Sequence, residues 1–323
     1  MPQVKNQPDN LSLDMTNLPL VAGVPLQMPG GAVANWLDQR LHLQHGPIDL
    51  IISADGATDV VINAFARAAD AFDGLLGTLV EELPILRAPA NASSPPDLEG
   101  LVAKRMDEVI RPHLDRYESG DFITPMVAVA GSVADYILYA MGGGLDRAIV
   151  NNGGDIALYL SKGAFFDIGI ADDRDVYFSN FTKKAGGKLV GNMPLKGQIR
   201  LGHEDKIGGV ATSGWRGRSH SLGIADSVTV LAKTAADADV AATLIANAIS
   251  VSSPAILRQP ANELAPDSDL QNRLVTVAVG LLTDDEISRA LAAGSSLAAT
   301  MHEDGQIAAV YARLQGRSFM IGR

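Results

Sequence analysis

The chain has 323 residues and a mass of 33.9 kDa, with 47% hydrophobic and 20% charged residues, so it can build a large core and is not a disordered chain. Its 26 Lys and Arg against 37 Asp and Glu leave a formal charge of −11 with no basic run, which argues against nucleic acid or an anionic membrane as partner. The absence of Cys excludes disulfides, thiolate metal sites and a Cys nucleophile; any metal has to be held by oxygen or His, which favours a hard ion such as Mg2+.

Residues 1–30 read as a loosely ordered arm punctuated by Pro2, Pro8, Pro19, Pro25 and Pro29 and closed by Gly30-Gly31. No basic-then-apolar leader is visible and no apolar stretch reaches membrane-spanning length, so a cytoplasmic location is expected. Residues 31–323 are predicted as one domain, within which two strand-and-helix halves meeting near 145–155 can be drawn. Trp36 is assigned to packing an early helix rather than to stacking on a ligand ring. Residues 48–53 are predicted as a strand that closes at Asp55-Gly56. Val61, Phe65, Ala68, Phe72, Leu75, Leu76 and Leu79 then recur at helical spacing, predicting one amphipathic helix over 59–83. A loop over 88–98 leads to a second helix that is expected to stop before Pro112.

Residues 127–141 are small and apolar, suited to a helix packed closely on a sheet, and Gly142 to Gly144 end it. Residues 147–150 and 156–160 are predicted as a hairpin around Asn151-Asn152-Gly153-Gly154-Asp155. Short β-like stretches follow between 165 and 202. Residues 213–223 form a polar, Gly-rich loop, 228–231 a buried strand and 235–249 an Ala-rich helix. A strand over 274–282, a helix over 284–301 and a hairpin around Gly316 complete the chain. Strands adjoin in hairpins rather than alternating strictly with helices, which predicts an α+β fold with largely antiparallel sheets.

Three segments concentrate polar groups and glycines. In the first, Gly153 and Gly154 permit positive φ or close backbone approach beside Asn152, and Asp155 is a fixed acceptor; a plain hairpin turn explains the same residues. The second holds Thr212, Ser213, Gly214, Arg216, Arg218, Ser219, His220 and Ser221. Guanidiniums and accessible N–H groups suit an anionic ligand, although a solvated loop has the same composition. A Ser-His-Asp triad drawn from Ser219 or Ser221, His220 and Asp226 is awkward, because adjacent residues of an extended chain point to opposite faces. In the third, Asp239 and Thr243 are four residues apart on a helix, with Asn247 a turn further. That row of oxygens suits Mg2+, and equally Asp237 or Asp239 could cap the helix.

These segments carry a resemblance. A-D-V-A-A-T-L at 238–244 resembles the A-D-A-L-A-T-A-L motif of ApbE-type FAD:protein FMN transferases, and N-G-G-D-I at 152–156, T-S-G at 212–214 and S-V-T-V at 227–230 fall in the family's order. V-A-G-S-V-A at 129–134 and A-D-V-A-A-T-L-I-A-N at 238–247 look closer to an uncharacterised ApbE-like branch. The resemblance implies a mixed α/β fold, FAD and Mg2+ as cofactors, Asp239 and Thr243 as metal ligands, and Thr212, Ser213 and Gly214 bordering the flavin. Where the transferases carry a Gly-Ile-Ala-Lys-Gly-like segment, this chain reads Ala130-Gly131-Ser132-Val133-Ala134-Asp135 and lacks the lysine; where they carry a His followed by Asp-Pro-x-Thr-Gly, Ser221-Leu222-Gly223-Ile224-Ala225-Asp226 follows His220. The expected ligand is a small anion or flavin nucleotide, with Asn152, Gly153, Gly154, Arg216, Arg218, Ser219 and Ser221 as further binding residues and a homodimer as the expected assembly. Three readings stand: an FMN transferase; a metal-assisted hydrolase or isomerase in which His220 or Asp155 moves protons; and a non-catalytic flavin- or nucleotide-binding protein.

Overall fold

The computed structural model describes residues 25–37, 39–91, 93–114, 123–170, 197–217 and 219–322. Most of the stretch between 165 and 202, where short β-like segments are expected, lies outside them. The chain starts with strands β1 (Leu26–Gln27), β2 (Val33–Leu37), β3 (Arg40–His45) and β4 (Ile48–Asp55), followed by helices α1 (Thr58–Phe72), α2 (Leu75–Glu81), α3 (Leu83–Leu86), α4 (Leu101–Leu114) and α5 (Val129–Met141). Next come β5 (Arg147–Asn152), β6 (Asp155–Leu160), β7 (Phe165–Ile170), β8 (Gly197–Gly202), β9 (Gly209–Ser213), β10 (Ser227–Ala232) and α6 (Ala235–Ala248). The C-terminal part holds β11 (Ile256–Pro260), α7 (Ala261–Leu264), β12 (Leu274–Val279), α8 (Asp284–Glu303), β13 (Ala309–Leu314) and β14 (Arg317–Gly322).

Among the described residues, ten strands form one sheet in the order β1-β2-β3-β4-β5-β6-β9-β10-β13-β14, while β11–β12 and β7–β8 are two-stranded ribbons. The registered pairs all run antiparallel, as hairpin connections require. The fold is therefore α+β with largely antiparallel sheets, as the strand spacing predicts. The described residues divide into two compact units, one up to 159 and from 207 onward, the other 160–206. Within the smaller unit, Arg200 pairs with Asp167 at 2.8 Å across β7–β8 and covers the Phe165 ring at 4.3 Å.

Strand alternation builds the core of the larger unit. Leu41, Ile52 and Val150 stand side by side on β3, β4 and β5, and Ala211, Val230 and Val310 do so on β9, β10 and β13. All six are buried, and α5 and α6 pack into the same core. The neighbouring row runs Leu43, Leu50, Asn152, so a polar side chain occupies a core position at the end of β5.

Two local expectations are corrected. The helix expected over 59–83 breaks into α1, α2 and α3, because Gly74 adopts φ 81° and Pro84 opens a new turn. Pro112 lies inside α4 rather than beyond it: its ring faces solvent, while His113 and Leu114 are buried and hold the last turn against the core. Trp36, on β2, packs an early helix as expected: it meets Phe65 of α1 edge-on with centroids 5.4 Å apart. At α8, Thr283 and Glu286 cap reciprocally: Glu286 N donates to Thr283 Oγ1 and Thr283 N to Glu286 Oε2. A Thr283→Ala protein is expected to lose about 1 kcal/mol, read as a lower denaturation midpoint.

Candidate functional site

The site is built where α5 and α6 begin. Asp239, in the second turn of α6, is buried, and its Oδ2 accepts from Gly131 N of α5 at 2.9 Å. Burial, and then the carboxylate of Asp155, push Asp239 well above the usual carboxylate range, against hydrogen bonds from the Gly131 and Ala130 N–H groups; Asp135 adds further repulsion. The charged neighbours that shift Asp239 are thus both acidic. Thr243, one turn on, is half-buried on the same helix.

The β5–β6 hairpin faces this point. Its turn is two residues, Gly153 and Gly154, with φ 66° and 120°, a left-handed geometry open to glycine. Gly154 N donates to Asn151 Oδ1 at 2.9 Å, and Asn152 Nδ2 donates to the carbonyl of Ala130 in the first turn of α5 at 3.1 Å. Asp155 opens β6, half-buried. Because Ile156 stands opposite Val210 and Ala157 opposite Gly209, the antiparallel register sets the Gly153-Gly154 turn level with Thr212-Ser213 on β9. The first two sequence segments thus meet at one end of the sheet, and the third meets them through Asp239.

Beyond β9 the loop doubles back. Trp215 N donates to the Ala225 carbonyl and Gly217 N to the Gly214 carbonyl. Arg216, half exposed, lies 3.7 Å from Asp226 and over the Trp215 ring, and Asp226 Oδ2 accepts from Gln315 N at 2.6 Å. Ser219 and His220 are exposed, and Arg218 lies outside the described residues. Thr212 shares a 2.9 Å hydroxyl contact with Thr229 on the adjoining strand. Ser221 is buried: its hydroxyl donates to Asn247 Oδ1 and accepts from Gly223 N, while Leu222 N also donates to Asn247 Oδ1. Asn247 therefore holds the loop, a structural role that the row Asp239, Thr243, Asn247 did not suggest. An Asn247→Ala protein is expected to lose about 1–3 kcal/mol, because buried donors lose their acceptor, and to show faster amide exchange at Leu222.

Sequence reasoning missed Asp135 and Gly131 as parts of this site. A lone acid in the apolar run 127–141 was the available signal. Among the described residues no three His, Asp or Glu side chains converge as a metal cage. A cation here would rest on one or two carboxylates with hydroxyl and carbonyl oxygens, a donor set that suits Mg2+ retaining its own waters.

A model of the family described as AbpE bacteria matches residues 34–320. The chain belongs to this family. The resemblance read from the motifs therefore holds at the level of the family. A UPF0280 protein of Methanopyrus kandleri is 34% identical over 145 residues, covering 45% of this chain and 51% of the relative. A UPF0280 protein of Methanococcus vannielii is 37% identical over 138 residues, covering 41% and 47%. The chain spans about half the length of these curated relatives. A solved structure, the apo flavinyl transferase ApbE of Pseudomonas stutzeri, aligns over 90% of this chain and 93% of its own at 13% identity and a TM-score of 0.38. No helix among the described residues is long and apolar enough to cross a membrane.

Proposed function

We propose that this chain is an Mg2+-dependent enzyme of the ApbE type that binds FAD and transfers FMN to a Ser or Thr hydroxyl, breaking the pyrophosphate bond and releasing AMP. The observation that carries the reading is the buried Asp239 carboxylate, set at the meeting point of the β5–β6 hairpin and two helix starts with acidic charged neighbours. Such a group calls for a cation. Asp239 and Thr243 would hold Mg2+, and Asp155 would face it. Bound there, the ion supplies neutralisation of a pyrophosphate and of the charge that develops as its phosphoryl bond breaks. Thr212, Ser213, Gly214, Asn152, Gly153 and Gly154 would border the nucleotide, and Arg216, Arg218, Ser219 and Ser221 its loop side. His220, exposed on that loop, would exchange a proton with an acceptor hydroxyl. Family membership supports the flavin. Arg216, half exposed beside Trp215, also favours an anionic ligand.

Isothermal titration of the purified chain with FAD, with and without Mg2+, tests the reading. Mg2+-dependent uptake, followed by flavin attached to a Ser- or Thr-containing acceptor peptide, is the expected result. No FAD uptake under either condition overturns it and leaves metal-assisted chemistry on another small anion. Uptake without transfer to any acceptor peptide leaves a binding protein.

A further inference from the structure

Asp135 stands on α5, one turn beyond Gly131, in a run of apolar residues. Its two oxygens accept from the N–H groups of Ala235 and Ala236, each at 2.9 Å. Those are the first two amides of α6, which the helix itself leaves without acceptors. The third, Asp237 N, donates to Thr234 Oγ1, which in turn receives Arg105 Nη2 of α4 at 2.9 Å. In the other direction, Asp239 of α6 accepts from Gly131 N in the first turn of α5. Between the two carboxylates the helices touch backbone to backbone: Gly131 lies so close to the Ala235 carbonyl that a Cβ could not be placed there.

The arrangement is reciprocal. Each helix lends an acid from its second turn to cap the first turn of the other, around a glycine contact. A slide of α6 along its axis breaks both bridges together, so the position of Asp239 is tied to the bond made by Asp135. We propose that Asp135 is a positioning residue, which by capping α6 sets where Asp239 stands against α5 and the β5–β6 hairpin. For its consequence at the ligand site this rests on the reading of Asp239 as an Mg2+ ligand, but the coupling between the two bridges does not.

Three proteins test it: wild type, Asp135→Ala, and Asp135→Asn, which keeps one acceptor oxygen. Two quantities are read in the full chain: amide hydrogen exchange at Ala235, Ala236 and Gly131, and the affinity for Mg2+ alone by calorimetry. Asp135→Ala is expected to speed exchange at Gly131 as well as at Ala235 and Ala236, and to weaken Mg2+ binding by roughly tenfold to a hundredfold, the usual effect of losing a group that orients a ligand. Asp135→Asn should recover part of both. Faster exchange confined to Ala235 and Ala236, with Gly131 and Mg2+ affinity as in wild type, would reduce Asp135 to a helix cap and overturn the proposal. Should Asp135→Ala not fold, Asp135→Asn carries the same comparison. A wild type that binds no Mg2+ would sink the metal reading, yet Gly131 exchange would still decide the coupling.

Discussion

Asp239→Ala is expected to abolish the dependence of FAD binding on Mg2+. Loss of a residue that merely orients a metal ligand costs roughly ten- to a hundredfold in affinity, so removing the carboxylate itself should exceed that. The Asn variant separates charge from shape. Its amide oxygen can still accept from Gly131 N, but it offers no charge to a cation. Burial and Asp155 raise the pKa of Asp239 in the fold, and the sign of its pH effect follows. A raised carboxyl adds stability that is fully present below its unfolded pKa and is lost as pH rises through its folded value. At neutral pH without cation, Asp239→Asn should therefore denature no more easily than wild type, and Mg2+ should stabilise wild type alone. Thermal melts with chelator or Mg2+ read this directly. Equal Mg2+ stabilisation of wild type and Asp239→Asn would remove Asp239 from the metal site.

The local parts of the site are legible in the sequence, and their junctions are not. The Asn151 to Asp155 hairpin shows itself through two consecutive glycines, because only a tight turn with positive φ needs them there. α6 shows itself through an Ala-rich run after Thr234, which caps it in the structure. The strands before β4 escape the sequence reading: Leu41 and Leu43 alternate with His42 and Gln44 at a strand's period, but a six-residue run is a weak signal. Asp135 was visible as an acid among apolar neighbours, but its acceptor role depends on amides 100 residues further along the chain. Asn247 was legible as a polar residue on the Asp239 face; that it faces a loop, and not a ligand, follows from the packing of Gly223 at the end of α6. Spacing finds residues that share an element. Only tertiary contact says which groups meet across two.

The largest loss of stability is expected from glycines that seat α6. Gly131 meets the Ala235 carbonyl, Gly209 meets Thr234 and Gly223 meets the Ala246 carbonyl, so both ends of the helix lie against bare backbone. None of the three has a positive φ among the left-handed residues, so the absence of a side chain, not turn geometry, is what the position requires. A methyl group added at Gly223 would press into the Ala246 carbonyl and come within 2.9 Å of Asn247 Cα. These are backbone atoms inside a hydrogen-bonded helix and cannot rotate away as a side chain would. Overpacking a core costs about 1–3 kcal/mol where side chains can yield, and Gly223→Ala and Gly131→Ala should sit at or above the top of that range. Urea denaturation would show it as a lower midpoint at unchanged slope. The two variants should differ at the site: Gly131→Ala separates the helix starts and should also weaken Mg2+ binding, whereas Gly223→Ala displaces the loop end of α6 and should chiefly affect the Ser221–Asn247 contact. A Gly131→Ala protein with wild-type stability would show that α5 and α6 can separate at their starts without cost, and the close approach of the two helices would then hold nothing in place.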